Sequence, residues 1–280
     1  MTVPLNFFQR YSFPVALLGL LVLAFGLLIP TLGFYWDDWP VLITHRLLGN
    51  QGLWEFYTYD RPVSAWTYVV TLPVLGYSPL PWHIFTLLLR WATCLGLWLA
   101  LRGIWPKRAW EVAAVTALFA IYPIFKQQSI SIAYSQHWII YLLFFASLAG
   151  MVYAVRRPRL FWPLTVFSLL AAGLHLFTME YFAGLELARP FVLWLALAND
   201  PTENLARRKR AVLHYLPYLA VLAAFLVWRL FLLEIPGEDA NRPTLLLDLL
   251  RSPLATFATL LGMVFQDVHH ALVGAWADLL

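Results

Sequence analysis

Residues 11–36 pass without one charged side chain, and a run of that length leaves a chain few ways to fold. About 20 consecutive apolar residues, wound as a helix, cross the ~30 Å hydrocarbon core of a bilayer. A helix on a soluble domain needs a polar face, which this run lacks. Composition carries the argument to the rest of the chain. Of 280 residues, 61% are hydrophobic and only 12% charged, about half of the roughly 25% found in soluble domains. Arg10 precedes the run, which is longer than the apolar region of a cleaved leader, so it reads as a retained first span over residues 13–34. Further apolar runs lie at 82–102, 109–125, 137–155, 160–178, 181–198, 212–233 and 254–275. The expected fold class is therefore all-α: a polytopic transmembrane helical bundle of roughly eight spans, forming a single domain over 1–280. The net charge of +4 is read as an orientation signal, not as a nucleic-acid footprint, and no nucleic-acid partner is expected. A single cysteine, Cys94, excludes an intrachain disulfide.

The segment 62–76 decides the topology. It is short for a span and Pro73 interrupts it. If it does not cross, one side of the membrane collects Arg10, Arg102, Lys107, Arg108, Arg156, Arg157, Arg159 and the basic run 207–210, while the other side holds far fewer Lys and Arg. If it crosses, that bias reverses against the positive-inside rule. The expectation is an integral membrane protein with both termini cytoplasmic and an outer loop over 35–81. That loop is rich in Trp, Tyr and Pro, which suits interfacial helices. The chain ends after Leu280 without a polar tail, as a C-terminally truncated chain would.

Chemistry concentrates at the outer end. Tyr35, Trp36, Asp37, Asp38 and Trp39 follow the first run directly. Two adjacent carboxylates beside apolar rings raise each other's proton affinity, which suits a general base or a cation ligand. A solvated helix end flanked by belt aromatics has the same residues. Asp60 and Arg61 close the same loop: the guanidinium fork fits a phosphate, and an Asp60–Arg61 turn staple fits equally well. Glu180 falls on the same side by parity and suits an acceptor, a shared cation or solvent. Lys126, Gln128 and His137 offer polar contacts for a phosphate or sugar, or simply wet a connecting loop. Inside the runs, Glu186 and Arg189 are spaced for mutual neutralisation. Arg90 calls for an acid from another helix or a lipid headgroup. Asp267, His269 and His270 are metal-ligand types, but adjacent histidines on a helix point in different directions.

The order of these features resembles the GT-C class of membrane glycosyltransferases, especially protein O-mannosyltransferases and bacterial lipid A aminoarabinose transferases. The shared pattern is a first span with an acidic pair at its outer end, then a long loop carrying Arg61-Pro62 and Leu75-Gly76-Tyr77-Ser78-Pro79. A span opening on Trp82-His83 follows, and then the element Leu118-Phe119-Ala120-Ile121-Tyr122-Pro123. The resemblance covers most of residues 1–190. It implies transfer of a sugar from a polyprenyl-phosphate carrier to a glycan, lipid or protein acceptor at the outer face of a bacterial plasma membrane. Asp37 or Asp38 would be the general base, with Arg61 and Lys126 stabilising the leaving phosphate and Asp60, Glu180 and His137 binding substrate. Some members of the class use a divalent cation and others do not, and an acidic pair fits both. Two other readings use the same residues: a transporter with a path lined by Arg90, His175, Glu186 and Arg189, and a noncatalytic subunit of a membrane complex.

Overall fold

A computed structural model describes residues 7–58, 60–198, 204–233 and 244–277. Among these residues the chain is all-α, with helices and turns and no strand. Five helices are long and apolar enough to cross a membrane: Ser12–Thr31, Pro79–Ile104, Ser131–Arg156, Pro158–Thr178 and Asn204–Leu232. Three of the eight apolar runs are not among these, for want of length or of apolarity. Run 109–125 forms a helix only over Ala109–Ala120, because Pro123 disfavours helix in the residue before it. Run 181–198 is split into a 3-10 helix, Glu180–Ala188, and a short α-helix, Arg189–Leu197, with Pro190 in its first turn. Run 254–275 is helical over Pro253–His269 and then loosens into a π turn, His270–Gly274.

The described chain divides into two compact units, residues 1–121 with 127–233, and residues 122–126 with 234–280. In the larger unit the helices are α1 (Phe7–Leu21, continued by a π turn, Val22–Gly26), α2 (Asp38–Thr58), α3 (Trp66–Leu75), α4 (Pro79–Ile104), α5 (Ala109–Ala120), α6 (Ser131–Arg156), α7 (Phe161–Thr178), α8 (Arg189–Leu197) and α9 (Asn204–Val227). In the smaller unit Tyr122 donates its hydroxyl to the Ala271 carbonyl and meets the Trp276 ring edge-on at 5.8 Å.

Helix α6 is the axis of the larger unit, packing along both α4 and α7. Small residues permit the approach, as expected where van der Waals contact replaces the hydrophobic drive. A Cβ at Gly103 would stand 2.6 Å from Val152 Cγ1. On the other face Ser147 donates to the Ser168 carbonyl at 2.7 Å and Ser168 donates to the Ser147 carbonyl at 2.5 Å. Tyr218 of α9 donates to Ser168 Oγ at 2.8 Å, so one polar clasp joins three helices. Charged side chains inside this packing are accounted for locally. Arg90 donates to the Ala120 carbonyl and to Gln128 Oε1, both at 2.9 Å, beneath the rings of Phe25 and Trp138. Among the described contacts it meets a carbonyl, an amide and two π faces. His175, Glu186 and Arg189 are each buried and joined: His175 Nε2 to Glu186 Oε1 at 2.8 Å, and Arg189 to both carboxylate oxygens.

The segment between the first and second long helices contains no helix that reaches a bilayer's thickness in one piece. Helix α2 breaks at Gly49, whose φ is 65°. Helix α3 is 10 residues long, roughly 15 Å at the helical rise. It ends at Gly76, where φ of 67° suits a residue without Cβ and the Gly76 amide closes on the Leu72 carbonyl. Trp82 then donates to the Gly76 carbonyl at 2.9 Å, fixing the corner from which α4 departs.

Candidate functional site

The two acids at the start of α2 have opposite surroundings. Asp37 is exposed and Asp38 is fully buried. The first three amides of α6 have no intrahelical partner, as in any helix, and the N-cap residue Ile130 offers no side-chain acceptor. Asp38 supplies it from a distance. Its Oδ1 accepts from the amides of Ile132 at 2.8 Å and Ala133 at 2.9 Å, and its Oδ2 accepts from Ser131 at 3.2 Å and Tyr35 at 3.3 Å. The negative carboxylate also sits at the positive end of the α6 dipole. Burial raises the proton affinity of this carboxyl above the ordinary value, while the amides of Ala133, Tyr35, Ile132 and Ser131 oppose the rise. With every acceptor direction taken, Asp38 has no free lone pair for a substrate.

The turn that separates the acids is strained. Trp36 has φ of 43°, the one positive value at a residue other than glycine among the described residues. A left-handed conformation costs a side-chain-bearing residue roughly 1–2 kcal/mol, and such outliers concentrate where the surroundings hold a working geometry. Here the Asp38 tether holds it, and Trp36 and Asp37 project outward together.

A second group of charges lies at the same end of the unit. Arg61 Nη1 meets Asp60 Oδ2 at 2.7 Å, and Arg61 Nε meets Glu180 Oε1 at 3.3 Å. Arg229, near the end of the last long helix, approaches the same Glu180 oxygen at 3.6 Å. The four side chains border a narrow cleft with the apolar Phe177 and Trp228. Arg61 also lies 4.3 Å from the centroid of the Tyr181 ring. The rings continue across α6: Tyr134 stacks on His137 at 4.7 Å, and His137 lies 6.5 Å from Tyr181.

Polar contacts hold this group to the bundle. Gln136 donates to the Ser64 carbonyl and to Thr67 Oγ1, both at 2.9 Å, and Trp66 donates to Thr178 Oγ1 at 2.8 Å. Tyr57 and Tyr68 stack at 5.5 Å beneath it. Burial pushes the Tyr57 hydroxyl up to about 12, with Arg61 lowering it and Asp37 and Asp60 raising it. Tyr57 is therefore a neutral donor at any physiological pH, and it feels the charges of Asp37, Asp60 and Arg61 alike.

Of the residues singled out in the sequence, Asp60, Arg61 and Glu180 are in direct contact, His137 stands beside them through Tyr181, and Asp37 lies within electrostatic reach. Asp38 is withdrawn as a structural acceptor, and the side chain of Lys126 lies outside the described residues. Arg229, Tyr57 and Tyr181 were not singled out. Arg229 sits inside an apolar run, and the parity that groups Glu180 with the acids would have placed that run's C-terminal end beside them. No group of three or more His, Cys, Asp or Glu residues among those described is placed to hold a metal ion. The chain matches no protein-family model, no curated protein and no solved structure.

Proposed function

We propose that the protein is a membrane glycosyltransferase that moves a sugar from a polyprenyl-phosphate carrier to an acceptor hydroxyl at the outer membrane face. The observation that carries the reading is the division of labour between Asp37 and Asp38: one carboxylate is buried as an anchor and holds its neighbour out in solvent, at the end of the bundle that also carries Arg61 and Arg229. Asp37 takes the proton of the acceptor hydroxyl as that oxygen bonds to the anomeric carbon. The bond from the anomeric carbon to the carrier phosphate oxygen breaks, and the phosphate leaves with the electron pair. Arg61 and Arg229 converge on one oxygen of Glu180, and a lipid phosphate competes for the same donors and disperses its leaving charge over them. The exposed rings of Trp36 and Tyr181 offer faces to a sugar. In this reading the five long helices and the three shorter apolar runs, 109–125, 181–198 and 254–275, all pass through the bilayer, an even number that keeps both termini cytoplasmic, and α2 and α3 lie in the outer interface.

The phosphate role is tested by a graded pair of variants in a transfer assay with a polyprenyl-phosphate sugar. Arg61→Lys keeps the charge and loses the fork, whereas Arg61→Ala loses both. Turnover or donor affinity is expected to fall progressively, roughly ten- to a hundredfold for the alanine, as befits a charge-assisted hydrogen bond worth about 1.5–3 kcal/mol. If Arg61 is only a staple to Asp60 and Glu180, Arg61→Ala lowers thermal stability and leaves donor affinity intact, and the phosphate role is wrong.

The orientation is tested in a Cys94→Ala background. A cysteine at the exposed Leu48 of α2 is expected to react with an impermeant thiol reagent in intact cells, and one at Arg157, beyond α6, only after permeabilisation. The opposite pattern inverts the topology and removes the outer-face reading.

A further inference from the structure

At the end of the larger unit where α6 finishes and α7 and α9 begin, a second concavity lies between those three helices. It has a volume of about 160 Å³, and Met151 and Val155 of α6, Phe161 and Thr165 of α7 and Leu213 and Pro217 of α9 wall it. Apolar side chains lead away from it along the outer faces of the same helices: Val166 and Leu170 on α7 and Leu216 on α9 are exposed. The mouth is basic. Arg157 and Arg159 lie in the α6–α7 connection, Arg156 being turned to the carbonyls of Ile104 and Ala196, and residues 207–210 lie in the first turns of α9, while neither 151–165 nor 204–218 contains an acid. The basic turn adjoins the cavity wall: His214, which lines it and lies 5.5 Å from the Phe161 ring, is four residues from Arg210 on the same face of α9.

We propose that this concavity is a binding site for an anionic glycerophospholipid, with an acyl chain entering the apolar cavity and the headgroup phosphate lying on the arginines of 157–159 and 208–210. The orientation rule asks only that these charges be somewhere in the loop. It does not ask for a cavity walled by aliphatic side chains and aromatic rings beneath them, and the two together match both ends of one molecule. Clusters of basic residues beside a membrane helix draw anionic headgroups with a strength that grows with each Lys or Arg. The chain fills a groove that would otherwise expose apolar surface. The proposal rests on the chain being embedded in a bilayer and is independent of the transfer chemistry at the opposite end.

The test is retention of lipid by the full chain. The protein is reconstituted in nanodiscs of phosphatidylcholine with a minority of phosphatidylglycerol, released into detergent and weighed by native mass spectrometry. Preferential retention of phosphatidylglycerol is expected. The double variant Arg157→Gln/Arg159→Gln should lose that preference by about fivefold per arginine. Thr165→Phe, which fills the cavity and leaves the charges, should lower retention of either lipid. Millimolar inorganic phosphate should not displace the bound lipid. Displacement by phosphate would make this a free-anion site and overturn the proposal. Equal retention of the two lipids by the unaltered protein would reduce the contact to ordinary boundary lipid and overturn it without recourse to any variant. Failure of the protein to enter the bilayer at all would overturn the membrane reading and this site with it.

Discussion

Asp37→Asn is expected to leave a folded protein that has lost roughly a hundred- to ten-thousandfold in sugar transfer, the range that a positioned general base contributes. Its neighbour should behave in the opposite way. Asp38→Asn keeps one acceptor oxygen and turns an NH2 group toward amides that are themselves donors. Two or more amides at the start of α6 then lose their partner in a buried setting. Buried unsatisfied donors cost about 1–3 kcal/mol each and the loss of a helix cap about 1, so a fall in stability of about 3 kcal/mol is expected. Thermal unfolding in detergent and turnover on a polyprenyl-phosphate sugar separate the two effects. Wild-type turnover by well-folded Asp37→Asn ends the base assignment, and an Asp38→Asn protein as stable as the parent ends the anchor.

The second large effect is expected at Glu186. Arg189 and His175 both lie against its carboxylate, and all three side chains are buried. Glu186→Ala leaves a guanidinium in the packed interior with its counter-charge gone, and breaking a buried pair from one side costs about 3–5 kcal/mol. His175→Ala removes one hydrogen bond and should cost less, about 1–3 kcal/mol. The two should couple in a double-mutant cycle, since their side chains are the two partners of one hydrogen bond. A transport path makes a different forecast: Glu186→Gln would hold its stability and stop substrate movement in liposomes. That result would reassign the buried charges from architecture to function.

The sequence disclosed the parts of the fold that depend on composition alone. Five long apolar runs became five long helices, and Pro14 in α1 and Pro217 in α9 are carried inside them. The runs that broke did so at single residues whose effect is on the backbone and not on polarity, Pro123 after α5 and Pro190 at the start of α8. The Glu186–Arg189 pair was legible from its spacing, since residues three apart meet in both the 3-10 and the α geometry. The acidic pair was legible as a pair and no further. Two adjacent aspartates are equal in the sequence, and what distinguishes them is a helix end elsewhere in the chain that lacks its own cap. Arg229 was hidden for the converse reason, being one charge in a long apolar run. The grouping of Asp60, Arg61 and Glu180 at one end followed from counting crossings, but their direct contact is a matter of packing that no local pattern encodes.

The reach of Asp38 also sets an order on assembly. The carboxylate and the amides that it accepts from are 93 to 95 residues apart, and α2 to α5 are made in between. A chain emerging from the ribosome forms its local helices early and its distant contacts late. Until residue 133 has been delivered, Asp38 is an ordinary hydrated anion and nothing compels Trp36 into its left-handed turn. The acidic corner, though encoded near the start of the chain, takes its final shape only when the start of α6 arrives, so the earliest of the site's acids to be synthesised must wait for a later helix before they differ.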